Sequence, residues 1–312
     1  MRILRCSLDP AAAAAALREH LPGHEIVLGP PEEIPSRVPE ADVLVPARFR
    51  LDAALLQTAK RCRLIQQMGA GVDMVDLNAA ESLGIPVANA PGHQTGGADS
   101  VAEMALWLLI ACRRRLPELT KVIRSGDWSA VPVADALHGA TVCIVGYGAI
   151  GSRLGALLRA LGCRVLAVKR SWDEEPRDQV EPGTTADLPR FLGEADAVVL
   201  AVPLGDETRG LVDAAFLARM PAGSVLVNVS RAEIIDREAL LSALRTGGLA
   251  LYGSDVHWTE PLDPADPLAE LPTVLTPHVA GLTVQMLQGG ARVVAENVRR
   301  LEAGEPLLHR IR

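Results

Sequence analysis

Arg231, Glu260 and His278 are the residues whose types and spacing suit a reaction. They stand 29 and 18 positions apart in the second half of the chain. Each stands just past an apolar run that reads as a strand: Val227-Asn-Val-Ser-Arg-Ala-Glu-Ile-Ile-Asp236, Gly253-Ser-Asp-Val-His-Trp-Thr-Glu-Pro261 and Leu275-Thr-Pro-His-Val-Ala-Gly281. An arginine offers a rigid fork of donors that grips a carboxylate and polarises a neighbouring carbonyl. A histidine exchanges a proton near neutral pH. A carboxylate behind that histidine favours its protonated form and fixes the ring. Together the three suit hydride transfer to a 2-keto acid. Singly, each has a plainer reading: a surface cation, a turn carboxylate, a structural histidine.

A hydride needs a carrier, and the stretch Val142-Cys-Ile-Val-Gly-Tyr-Gly-Ala-Ile-Gly151 can hold one. It reads as a buried strand, a glycine turn and a helix over Ser152–Leu161. Gly146 permits the turn, Gly148 lets a pyrophosphate approach the backbone, and Gly151 lets the helix pack closely. Tyr147, Ala149 and Ile150 complete the loop, and the phosphates face the positive end of the helix. The next strand, Arg164–Val168, ends in Lys169-Arg170-Ser171, where an NAD site usually has a carboxylate. Two cations and a hydroxyl fit a 2′-phosphate, which favours NADP(H). NAD(H) stays open, because a solvated basic turn has the same composition and Asp173 and Glu174 follow closely. Val202-Pro203-Leu204 ends a strand where the adenosine would lie, and Thr208 is placed to face the phosphates.

These positions need a frame. Strands are expected at Arg2–Cys6, Glu25–Leu28, Val43–Pro46, Leu64–Gln67 and Val87–Ala88. Helices are expected at Ala11–Glu19, near Ala53–Lys60 and at Leu77–Ser82. Ala98–Arg124 reads as one long apolar helix that Pro117 kinks. A second set of strands follows at Thr141–Val145, Arg164–Val168, Ala197–Val202, Ser224–Val229, Ala250–Ser254 and Thr273–Leu275. A last helix spans Thr283–Ala303 and returns to the first domain. Such alternation means parallel sheets covered by helices. The α/β fold therefore has two doubly wound domains. Residues 1–94 with 284–312 form a discontinuous, flavodoxin-like substrate domain, and 95–283 form the dinucleotide domain.

A net charge of −7 without a basic stripe argues against nucleic acid as a partner. The longest apolar run, Met104–Cys112, is nine residues and too short for a membrane span. The N-terminus reads as a strand rather than a signal peptide, and the five cysteines are scattered without a CxxC pair. A cytoplasmic protein with cysteines as core filler is the expectation, and no metal is expected.

Over nearly its whole length the chain resembles the D-specific 2-hydroxyacid dehydrogenases. Gly69-Ala-Gly-Val-Asp73, Val87-Ala-Asn-Ala-Pro-Gly92, Val101-Ala-Glu103, Gly126-Asp-Trp128, Asn228-Val-Ser-Arg231, Ser254-Asp-Val256, Glu260-Pro261 and Thr276-Pro-His-Val-Ala-Gly281 carry the likeness, with Gly146–Gly151. The resemblance implies two Rossmann-like domains with the active site in the cleft between them. It implies Arg231 on the substrate carboxylate and carbonyl, His278 as acid and base, and Glu260 as its partner. It further implies that the backbone N–H groups of Ala70 and Gly71 bind the substrate, that Asp255 meets the nicotinamide carboxamide, and that Val229, Ser230, Arg231 and His278 also contact the cofactor. The helix after Ala98 would form a homodimer interface.

Several residues depart from that pattern. Ala232 replaces a usual glycine, and Lys169 a usual acid. His257 and Trp258 stand where the family often has phenylalanine and a variable residue. Trp258 either lines the substrate pocket or simply packs. Substrate choice is expected near Val45–Arg50 and Met68–Val72, with Arg48 either a surface cation or a contact for a second anionic group. The chain ends soon after its last helix, so the C-terminal regulatory domain of longer phosphoglycerate dehydrogenases is not expected. Glyoxylate and hydroxypyruvate head the substrates. The rival reading is a dinucleotide-sensing, corepressor-like protein that keeps the fold without physiological turnover.

Overall fold

The computed structural model describes residues 1–7, 12–172 and 179–311. The chain divides into two compact units, Met1–Gly97 with Gly281–Arg312, and Ala98–Ala280.

The first unit is built on five parallel strands: β1 Arg2–Ser7, β2 Glu25–Leu28, β3 Val43–Ala47, β4 Leu64–Gln66 and β5 Val87–Ala88. Their order is β2-β1-β3-β4-β5, the 2-1-3-4-5 order of flavodoxin-like sheets. Strands buried on both faces are apolar at successive positions, and alternate residues feed two cores. Ile3, Val43, Val45 and Leu64 enter one core, and Leu4, Leu44 and Ile65 the other. Helix Ala12–His20 covers the first of these with Ala13, Ala14, Ala16 and Leu17. Beside it lies helix Val284–Ala303, capped by the Thr283 side chain. Gly289 and Gly290 let this helix approach backbone, since a Cβ at either would stand 2.5 Å from the carbonyl oxygen of Thr95 or Met68.

The second unit carries seven parallel strands: β6 Thr141–Val145, β7 Arg164–Val168, β8 Glu181–Gly183, β9 Ala197–Leu200, β10 Val225–Asn228, β11 Leu251–Ser254 and β12 Thr273–Leu275. The order is β12-β11-β10-β9-β6-β7-β8. The chain runs outward from β6 to β8 and then resumes on the other side of β6. The carboxyl ends of β6 and β9 therefore flank a topological switch point, where open parallel sheets bind ligands. Val142 and Ile144 face one core, and Cys143 and Val145 the other.

Four expectations about elements need correction. Residues 98–124 form two helices, Gly97–Arg113 and Leu116–Ser125. Arg115 between them turns left-handed at φ 55°, and Pro117 lacks the N–H that a continuous helix would need. The helix after the glycine turn begins at Ala149, not Ser152, with Gly148 as its N-cap. Strand β8, Glu-Pro-Gly, lies outside the expected set, because its residues are poor strand formers. As an edge strand it tolerates proline. Strands β9 and β10 stop at Leu200 and Asn228, short of the expected Val202 and Val229. The chain turns there to build loops. All five cysteines are free, and burial pushes the thiols of Cys6, Cys62, Cys112 and Cys143 up to about 12, so they are poor nucleophiles. Among the described residues no helix is long and apolar enough to cross a membrane.

Candidate active site

The glycine loop leaves β6 through Gly146, whose φ of 101° is left-handed. A Cβ there would stand 2.4 Å from the Ala201 carbonyl oxygen, across the switch point. A Cβ on Gly151 would meet the Gly146 carbonyl oxygen at 2.1 Å, so this glycine serves the closure of the loop itself. Gly148 differs, because nothing among the described residues lies within 4 Å of where its Cβ would be. No contact with them requires glycine there, whereas a phosphate approaching the backbone would. The twelve-residue helix that follows, Ala149–Ala160, turns its N-terminal amides and positive dipole end toward the same place. The loop thus fits a dinucleotide pyrophosphate.

Tyr147 belongs to the loop through its backbone alone. Its ring is buried and packs against Gly155, where a Cβ would be 2.6 Å from the phenol oxygen. It also lies 5.5 Å, centroid to centroid, from Trp172. Gly155 is absent from the sequence-based site, although the four-residue spacing from Gly151 carries the signal.

At the tip of β7, Lys169, Arg170 and Ser171 are exposed. The Lys169 ammonium stands 5.7 Å from the Trp172 ring centroid, and the Trp172 indole N–H donates to the Gly183 carbonyl at 3.0 Å. Arg170 pairs with Glu207 at 3.3 Å, both in solvent. Asp173 and Glu174 lie outside the described residues.

Beyond β9, Val202 is half-buried and Pro203 exposed. The hydroxyl of Thr208 donates to the Pro203 carbonyl at 2.7 Å and accepts from the Gly205 N–H at 2.8 Å. The side chain thus closes its own loop. Ser230 donates to the Leu200 carbonyl at 3.0 Å, and Val229 is buried.

Arg231 follows β10. The buried side chain of Asn228 shapes this turn, accepting from the Ser230 N–H at 2.9 Å and donating to the Arg231 carbonyl at 2.8 Å. The Arg231 guanidinium is half-buried and donates to the Ser230 carbonyl at 2.7 Å. The guanidinium itself is thus tied to the turn that carries it.

The turns after β11 and β12 meet. His278 Nδ1 lies 2.9 and 2.8 Å from the two oxygens of Glu260. With Nδ1 on the carboxylate, Nε2 is the atom left to exchange a proton. Burial alone would raise the Glu260 carboxyl. The hydrogen bond and charge of His278 outweigh that and, with the His257 N–H, hold it below its ordinary value. Glu260 is therefore ionised at neutral pH and accepts a hydrogen bond from the imidazole. His278 has a φ of 55°, unusual for a residue with a side chain. Such backbone persists only when neighbours over-determine it, and here Asp255 does so. That buried carboxylate accepts from Thr276 Oγ1 at 2.6 Å, from the Val279 N–H at 2.9 Å and from the Ala280 N–H at 2.8 Å. Asp255 thus clamps the histidine turn, a role its place in the sequence did not announce. Trp258 packs on the core with Arg237 above its ring, which favours the packing reading.

In the first unit, Ala70 and Gly71 are exposed in the loop after β4, and Asn89 Nδ2 holds the Ala70 carbonyl at 2.8 Å. Arg48 follows β3 with a left-handed φ of 52°.

Residues 106–280 match the NAD binding domain of the D-isomer specific 2-hydroxyacid dehydrogenases. A glyoxylate reductase of Thermococcus kodakarensis is 33% identical over 312 residues, covering 95% of this chain and 91% of that protein. A D-3-phosphoglycerate dehydrogenase of Archaeoglobus fulgidus is 32% identical over 279 residues, although the chain spans only 52% of its length. Among solved structures, the TT0316 protein from Thermus thermophilus superposes with a TM-score of 0.86 at 34% identity, each chain fully covered. A glyoxylate reductase from Paecilomyes thermophila gives 0.83 at 25% identity, covering 100% of this chain and 98% of that one. With its parallel sheets, its glycine loop and its paired histidine and glutamate, the chain belongs to the D-isomer specific 2-hydroxyacid dehydrogenase family of NAD-dependent oxidoreductases.

Proposed function

We propose that this enzyme reduces a small 2-keto acid to the D-2-hydroxy acid, with NADPH preferred over NADH and glyoxylate or hydroxypyruvate as the leading substrates. The observation that carries the reaction is the two-oxygen contact of Glu260 with His278 Nδ1. It leaves Nε2 as the proton donor to the substrate oxygen. Arg231 binds the substrate carboxylate with its fork of donors and polarises the adjacent carbonyl. As negative charge grows on the carbonyl oxygen, His278 releases its proton there, and Glu260 steadies the imidazolium until it does. The cofactor, when bound, supplies the hydride. The Gly146–Gly151 loop would hold its pyrophosphate, and Lys169, Arg170 and Ser171 a 2′-phosphate. Relatives named glyoxylate reductase support glyoxylate as the acid.

The chain works as a homodimer in this reading. Trp107, Ile110, Ile123, Trp128 and Val133 are exposed large apolar side chains clustered within one stretch of sequence. A second copy of the chain would remove them from water. Light scattering should give twice the mass of the chain, and a monomer at micromolar concentration would refute it.

The function is tested by following NADPH and NADH oxidation with a panel of 2-keto acids. Turnover with glyoxylate or hydroxypyruvate, faster with NADPH, is expected. Cofactor binding without oxidation by any acid would overturn the reading in favour of a dinucleotide sensor.

A further inference from the structure

A second imidazole, close to the Glu260–His278 pair, has no part in the reaction itself. His257 is 8% exposed. Its Nε2 lies 2.9 Å from the Thr276 carbonyl oxygen. A carbonyl only accepts, so Nε2 carries a proton. Nδ1 is buried and has no hydrogen-bond partner among the described residues. Burying an unpaired ring nitrogen is unfavourable, and an apolar side chain of similar size would fill the space without it. Packing alone therefore does not account for an imidazole here.

We propose that His257 is a positioning residue that sets the Glu260–His278 pair from both ends. Its backbone N–H donates to Glu260 Oε1 at 3.1 Å. Its ring N–H holds the Thr276 carbonyl, the same oxygen that accepts from the His278 N–H at 3.0 Å. One residue thus touches the carboxylate directly and the histidine through a shared carbonyl. Asp255 holds the far side of the same turn through Val279 and Ala280. Without the ring N–H, the His278 turn loses the side-chain restraint opposite Asp255. The ring then departs from the line between Glu260 and the substrate oxygen. Small displacements of this kind cost rate more than binding.

This inference rests on His278 as the proton donor, and the test separates the two. Initial rates with NADPH and glyoxylate, or with the fastest acid of the panel, are measured for H257F, H257Q, E260Q and H257F/E260Q. H257F should lower kcat about tenfold with the KM for NADPH unchanged. H257Q, whose amide N–H can reach the same carbonyl, should recover most of that loss. In the E260Q background the phenylalanine should cost less than about twofold, because the pair it serves is already broken. Undiminished kcat in H257F would overturn the proposal. So would the same loss in both backgrounds, which marks a packing role independent of the pair. Should H257F not fold, H257M removes the same N–H and takes the same measurements. Retained turnover in H278A would instead refute the proton-donor reading, whatever His257 does.

Discussion

Two strand ends of one sheet are built in opposite ways. The turn after β12 is enclosed: Asp255 holds it by three hydrogen bonds, His257 by a fourth, and Glu260 fixes the imidazole. The tip of β7 is open: Lys169 and Arg170 stand in solvent, and the Arg170–Glu207 pair is 83% and 77% exposed. Exposed charges interact weakly and are screened by salt, whereas a buried network fails when one member goes. The reacting groups thus sit where geometry is dictated by many partners. The groups assigned to cofactor choice sit where a side chain can be exchanged without disturbing the fold.

The largest effect should follow from His278→Ala. Turnover should fall about a thousandfold, the usual scale for a general acid, while cofactor affinity by fluorescence titration stays within about twofold. Unchanged turnover would remove His278 from the chemistry. Next comes Asp255→Ala, which leaves the N–H groups of Val279 and Ala280 and the Thr276 hydroxyl without their acceptor. Denaturant unfolding should show a loss of about 3 kcal/mol, with kcat also reduced. A variant as stable as the parent would mean that the turn holds itself. The smallest effect should come from Lys169→Asp. Stability should be unchanged, and the ratio of kcat/KM for NADPH over NADH should drop about tenfold, the scale of one charge-assisted hydrogen bond. That drop should shrink in high salt. Equal loss with both cofactors would place the 2′-phosphate contact elsewhere. Destabilisation like that of Asp255→Ala would dissolve the contrast between the two strand ends.

What the sequence disclosed follows the same division. Gly146, Gly148 and Gly151 are legible because local backbone needs leave a local signature. Arg231, Glu260 and His278 stand out because each follows the end of an apolar strand, where parallel sheets place their ligands. The Asp255 clamp is not legible as such, since its partners lie 21 to 25 residues away and two of them are backbone groups that any residue supplies. The loop partner of Thr208 is hidden for a related reason. A hydroxyl near a strand end suits a phosphate, but its proton goes to a carbonyl five residues back. The helix break at Arg115 is hidden because arginine carries no mark of a left-handed turn. Its only signal is Pro117, which suits a kink as well as a break.

The phenol of Tyr147 lying against Gly155 has a consequence for how the chain can vary. Residue 147 belongs to the phosphate loop and residue 155 to the second turn of the helix after it, and the space for a methyl group at 155 is already taken. Glycine in mid-helix costs up to about 1 kcal/mol relative to alanine, so the position would ordinarily drift toward alanine. With tyrosine at 147 it cannot, and with a small residue at 147 the constraint lifts. The two positions should change together across related chains. A redesign of the loop that ignores its silent partner eight residues on would start from the wrong pair.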